Sequence, residues 1–249
     1  LGLTGLVVAA VLLIGEPQPK AWVSDIRAII YPALALFIIA LIWFTNVRVV
    51  SADILYKQGW QNYHQRGLYD PAVRLYNEAL DDQPDQDFYL LFKGKALLEK
   101  AQSTSDSGQR QAAFQAAESV LLQAEGLNPR NPDHAANLAR MYQTWASFAA
   151  SPADRDQKLQ TALKYYAEAQ SLSPNSVVIM DQTASAYLDM GQTDRAMEIL
   201  QKSLAIDPTY AETYLQLMAL YAIKNDTPNL LNAYQKAVQA APKSADPHL

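Results

Sequence analysis

Residues 53–86 read DILYKQGWQNYHQRGLYDPAVRLYNEALDDQPDQ. Tyr56, Trp60 and Tyr63 recur at steps of four and three, and beyond Gly67 so do Ala72, Tyr76 and Ala79. Those intervals place apolar side chains on one stripe of a helix. Two such stripes, separated by a glycine that permits a tight turn and closed by Pro84, predict a hairpin of two amphipathic helices. Ala72 and Ala79 are small where the two helices cross closely. Tyr63 and Tyr76 are large and suited to fill the gap between this hairpin and the next.

A single hairpin of this size cannot bury its own apolar face, so the rest of the chain should contain others like it. Pro84, Pro129, Pro174, Pro208 and Pro242 mark a recurring helix end, with two wider intervals followed by two narrower ones. The segments 177–210 and 211–244 align without a gap, Tyr187 on Tyr221 and Leu200 on Tyr234. The segments 87–131 and 132–176 are each about eleven residues longer. The surplus falls between their helices, where 102–109 reads QSTSDSGQ and 151–156 interrupts the apolar pattern, so longer first helices followed by loops are expected, with long tips on these two hairpins.

Spacing and residue types together resemble the tetratricopeptide repeat, most closely over 53–86. The resemblance implies an all-α fold, a solenoid of about five hairpins over 53–244 wound into a right-handed superhelix, with 245–249 as a tail. Stability should come from stacking of neighbours. It also implies a concave surface, built from the first helix of each hairpin, on which a protein or peptide partner lies. The helical spacing projects onto that face Ile54, Lys57, Gln61 and His64, then Phe88, Leu91, Lys95 and Leu98. Asp133, Ala136, Arg140 and Gln143 follow, then Val178, Asp181, Ser185 and Leu188. The family's carboxylate clamp for chaperone C-termini finds a match in Lys57, but Gln61 and Phe92 stand where its asparagines belong.

Upstream of the repeats the composition changes. Residues 28–47, AIIYPALALFIIALIWFTNV, carry no charge, and twenty helical residues span about 30 Å, the thickness of a bilayer's hydrocarbon. Arg27 and Arg48 bracket the stretch, and Trp22, Tyr31 and Trp43 lie near its ends, as headgroup anchors do. A transmembrane helix is expected, with Pro32 in its first turn. Residues 1–14 are apolar apart from Thr4 and read as the end of another span, joined through GEPQPK at 15–20. The basic residues favour a cytoplasmic repeat domain by a single charge.

Two apolar segments, a short turn, the stretch Asn46 to Lys57 and then repeats resemble the C-terminal end of O-antigen ligase or polymerase-like membrane proteins with tetratricopeptide tails. That resemblance implies a bacterial inner-membrane protein whose catalytic loops and further helices lie upstream. A small anchored adaptor and an accessory subunit of a membrane complex are the other readings.

Of 20 basic and 25 acidic residues only Lys20, Arg27, Arg48, Glu16 and Asp25 precede Ser51, so the remainder carries about −6 and is unsuited to a phosphate backbone. The chain has no cysteine, and His64, His134 and His248 are too scattered for a metal motif. Asp81 and Asp82 read as a solvated helix end. There is no glycine-rich phosphate loop, HExxH or GxSxG pattern. Neither catalytic residues nor a cofactor is expected in this segment.

Overall fold

The structure, a computed structural model, describes residues 21–240. The apolar stretch 1–14 and the tail 245–249 lie outside them. The chain divides into two compact units at Ser51.

In the first unit, α1 runs over Ala21–Ile42 and continues into a π-helical turn at Trp43–Val47. The helix starts earlier than the charge-free stretch, so Pro32 sits in its interior and not in its first turn. From Ile26 to Ile42 no side chain is buried, and Ile29, Leu36, Phe37 and Ile39 are all more than 60% exposed. Among the described residues it belongs to the one helix long and apolar enough to cross a membrane.

The second unit is a run of antiparallel helices. α2 (Arg48–Gln58) passes through a π turn at Gly59–Tyr63 and a 3₁₀ turn at His64–Arg66, and is answered by α3 (Tyr69–Asp82). The following pairs are α4 (Asp87–Ser103) with α5 (Ser107–Leu127), α6 (Pro132–Ala146) with α7 (Pro152–Leu172), α8 (Val177–Asp189) with α9 (Thr193–Ile206), and α10 (Ala211–Ile223) with α11 (Thr227–Ala240). There is no strand among the described residues.

The second helices show why the sequence packs this way. Ala72, Ala117, Ala162 and Ala196 occupy one register and are fully buried. Ala79, Ala124, Ala169, Ser203 and Ala237 occupy another, about two turns further on, and are buried as well. A side chain no larger than a methyl or hydroxymethyl lets the paired helix approach closely, and the larger Tyr76, Leu121, Tyr166 and Leu200 fill the space between pairs.

The surplus residues of the two long pairs do not form long loops; some lengthen the first helices, α4 and α6, to 17 and 15 residues against 13 in α8 and α10. Others lengthen the second helices, α5 and α7, to 21 residues each, against 14 in α3, α9 and α11. The non-helical connections are only 104–106 and 147–151. Capping explains this. The Asp106 carboxylate accepts from the Gln109 amide at 2.7 Å and the Ser151 hydroxyl from that of Asp154 at 3.2 Å, with Pro152 at the first helical position. The polar residues that read as loop are caps and first turns.

The short pairs turn differently. Gly67, Gly191 and Asn225 each take a left-handed backbone conformation, with φ of 73°, 73° and 55°. The next residue donates its amide back over the turn, Leu68 to the Tyr63 carbonyl, Gln192 to Tyr187 and Asp226 to Tyr221, at 2.8–2.9 Å. This pattern ties off the last carbonyls of the first helix.

Candidate interaction groove

The first helices of successive pairs line a continuous cleft. One part, of 290 Å³, has Lys95, Leu98, Glu99 and Gln102 of α4 on one wall and Asn137, Arg140 and Thr144 of α6 on the other. A second part, of 430 Å³, shares Gln102, Arg140 and Thr144 and extends over Gln143, then Gln182, Ser185 and Asp189 of α8, to Gln216 of α10. Tyr166 reaches its floor from α7.

The lining mixes polar and charged side chains with apolar ones, Leu98 and Leu121 in the smaller part and Phe148 in the larger. Lys95 lies 4.9 Å over the Trp60 ring and 3.9 Å from Glu99. Arg140 donates to the Asn137 side-chain oxygen. Gln143 is fully engaged: it donates to Ser185 at 3.1 Å and to Asp189 at 2.7 Å, and accepts from the Tyr166 hydroxyl at 2.9 Å. Burial pushes the Tyr166 phenol well above its ordinary range, against the nearby Arg140, so it stays a donor. Among the described residues no cluster of three or more histidine, cysteine or carboxylate side chains could hold a metal.

Comparison with known proteins agrees with this geometry. Residues 155–221 match the family model described as tetratricopeptide repeat. The structure of TTC0263, a tetratricopeptide-repeat protein of Thermus thermophilus, superposes with a TM-score of 0.62 at 22% identity, covering 78% of this chain and 94% of that one. The fold of the repeat array is that of a tetratricopeptide solenoid. Among curated proteins, Hsp70-Hsp90 organizing protein 3 of Arabidopsis thaliana is 21% identical over 199 residues, or 74% of this chain. Small glutamine-rich tetratricopeptide repeat-containing protein 2 of Mycosarcoma maydis is 30% identical over 83 residues, 33% of this chain. The chain spans 36% and 24% of the lengths of these two relatives.

Within the array, the residues projected onto the inner face do not stay together. Lys95, Leu98 and Arg140 come together in the cleft, with Gln143 and Ser185. Ile54, Lys57, Gln61 and Phe88 are exposed outside it, Lys57 paired with Asp53 at 2.6 Å and Phe88 edge-on to Tyr56 at 4.9 Å. Leu91 packs in part against the core around Leu90 and Leu121.

His64 and Asp181 do not face the groove at all, being 3% and 2% exposed. The π and 3₁₀ turns that end the first helix shift its register and rotate His64 inward. There its Nδ1 meets the Tyr76 hydroxyl at 3.0 Å and its Nε2 the Glu99 carboxylate at 2.9 Å. Burial lowers the His64 pKa and outweighs the raising effect of Glu99, which fits a neutral ring accepting from Tyr76 and donating to Glu99. Asp181 turns toward α10, where the Thr213 hydroxyl donates to it at 2.7 Å and itself lies 3.2 Å from that of Ser203. Burial raises its pKa despite those hydroxyls. His134 is likewise buried, its Nε2 donating to Asp87 at 2.9 Å.

The cleft residues absent from the sequence projection include Glu99, Gln102, Asn137, Thr144, Gln182, Asp189 and Gln216. A signal for three of them was available: Asn137, Gln182 and Gln216 follow one another at the spacing of the repeats themselves, as Pro129, Pro174 and Pro208 do.

Proposed function

We propose that this chain is a membrane-anchored scaffold that holds a protein or peptide partner along the cleft between α4 and α10. The cleft carries this reading. It crosses four consecutive first helices, its two parts have 430 and 290 Å³ of open volume, and its walls combine apolar side chains with polar ones, of which Gln143 is held in position by the neighbouring repeat. Extended partners bind surfaces of this kind. The positions of the carboxylate clamp hold Gln61 and Phe92, so the chaperones named in the relatives' descriptions are not the partners inferred for this chain.

The anchor is α1. Its 22 helical residues reach about 33 Å, and an apolar helix with no buried side chain from Ile26 to Ile42 is suited to lipid. Partner and anchor are tested separately. Alkaline carbonate extraction should leave the chain in the membrane pellet; release into the supernatant would remove the anchor. For the groove, reversing charge at Lys95 and Arg140 together should reduce partner recovery in detergent pull-downs, whereas reversal at Lys57, outside the cleft, should not. Equal recovery from all three proteins would reject the groove as the binding surface.

A further inference from the structure

Another cavity, of 230 Å³, lies among α7, α8 and α9. The cleft takes Gln182, Ser185 and Asp189 from α8, whereas this pit takes Met180, Thr183 and Tyr187, a different stripe of the same helix. Tyr166 is the residue common to the two linings. Its side chain is buried between them, and its hydroxyl donates to Gln143 in the cleft.

The pit is apolar with one charge. Leu163, Ala167 and Ile199 give it aliphatic walls, Met180 a thioether and Tyr187 a second ring. Rings and sulfur pack well against an aromatic occupant. Two of its polar side chains have their donors in use: Gln170 gives amide protons to the Ser173 and Pro174 carbonyls at 3.2 and 2.6 Å, and Thr183 gives its hydroxyl proton to the Ile179 carbonyl at 2.7 Å. Lys202 is the charged residue of the lining, paired with Glu198 at 2.7 Å, and both side chains are more than 60% exposed. A pair so exposed contributes little, so the ammonium is able to turn to another anion. Arg195 adds positive charge nearby, 5.6 Å over the Tyr187 ring.

We propose that this pit binds a small aromatic carboxylate, its ring between Leu163, Met180 and Ile199 and its carboxylate on Lys202. Size agrees with that choice. An apolar cavity of about 150 Å³ holds benzene, so 230 Å³ admits one ring with a short acidic tail. It falls short of the roughly 300–1,000 Å³ of pockets for larger ligands, which favours a free small molecule over a length of chain. Because Tyr166 bounds both cavities, a ligand against its ring also acts on the Gln143 network with Ser185 and Asp189. The site does not depend on the groove reading, since its ligand is measured without any protein partner.

The test uses the full chain in lipid nanodiscs with cinnamate and its neutral analogue cinnamyl alcohol, followed by calorimetry. Cinnamate should bind with a dissociation constant below about 1 mM. Ala167→Phe, which fills the pit from an exposed position, should abolish binding of both compounds while leaving the helical circular dichroism unchanged. Lys202→Met keeps the apolar stem and removes the charge; it should weaken cinnamate about fivefold and the alcohol by less than about twofold. With glutamine side chains isotope-labelled, saturating cinnamate should shift the Gln143 amide resonance, assigned through Gln143→Asn, in the wild type but not in Ala167→Phe. No binding of cinnamate to the wild type, or undiminished binding to a folded Ala167→Phe, would overturn the site. Equal loss of both compounds in Lys202→Met would overturn the carboxylate assignment, and an unmoved Gln143 resonance the link through Tyr166.

Discussion

Tyr166 and Tyr234 hold the same place in their hairpins, with Leu200 at that place in the hairpin between, yet one is 1% exposed and the other 51%. Tyr166, like Tyr76, Leu121 and Leu200, is covered by the pair of helices that follows it. Tyr234 belongs to the last described pair, and with Leu231 and Val238 it forms an open row along α11. A residue's place in the repeat specifies where its side chain points, while burial depends on whether a neighbour stands there. In a stacked array, stability is a property of junctions more than of hairpins.

Mutations should separate junction from end. Tyr166→Ala should cost about 3–5 kcal/mol of local stability, whereas Tyr234→Ala should cost less than about 1 kcal/mol. Native-state hydrogen exchange over α7, α8 and α11 measures both. Similar losses at the two sites would mean that α11 is covered as tightly as α7.

A subtler contrast lies within one long pair. A Cβ on Gly94 would sit 2.6 Å from a Leu121 methyl, whereas one on Gly126 would meet nothing within 4 Å. Gly94→Ala should therefore destabilise by about 1–3 kcal/mol. Gly126→Ala should stabilise helix α5 by about 0.5–1 kcal/mol. Thermal melts of the two variants should move in opposite directions.

The two ends of the array should also respond oppositely to acid. The His64 pKa is lowered by burial, so on acidification below about 6.5 the unfolded chain takes the proton first and stability is lost toward the depressed folded value. The Asp181 pKa is raised by burial, so on acidification through its raised folded value the folded state takes the proton first, and stability is gained down to the unfolded value of 3.8. Within each window the slope is at most about 1.4 kcal/mol per pH unit. Residue-resolved hydrogen exchange should show the junction of α2, α3 and α4 loosening in acid while that of α8, α9 and α10 tightens. His64→Phe and Asp181→Asn should flatten the respective slopes.

The smallest effect is expected at a turn. Asn225 adopts the left-handed conformation that glycine holds at the equivalent position 191, so Asn225→Gly should raise stability by a few tenths to about 1 kcal/mol. Gly191→Asn should lower it by a similar amount, and a denaturation series on the pair measures both.

The recurring prolines and the small residues at 72, 79, 117, 124, 162 and 169 made the helical hairpins legible in the sequence, because close helix crossing admits only small side chains. The surplus residues at 102–109 and 151–156 were harder. Serine and aspartate serve loops and helix caps alike, and only the backbone shows that Asp106 and Ser151 begin helices. Part of the cleft lining was legible too, since Lys95, Leu98, Arg140, Gln143 and Ser185 follow from an ideal helical projection. His64 and Asp181 escaped it, one through irregular turns and the other because neighbouring hydroxyls make a buried carboxylate tolerable.

By itself the sequence determined the all-helical class, the hairpin unit and the apolar stretch before it, since each follows from local periodicity and from the length of an uncharged run. Only the tertiary structure decided which polar side chains face the cleft and which are satisfied inside the stack. That outcome depends on partners from other helices, as Gln143 shows with Tyr166 on one side and Ser185 and Asp189 on the other. Hydrogen bonds across a junction join residues that no local pattern relates.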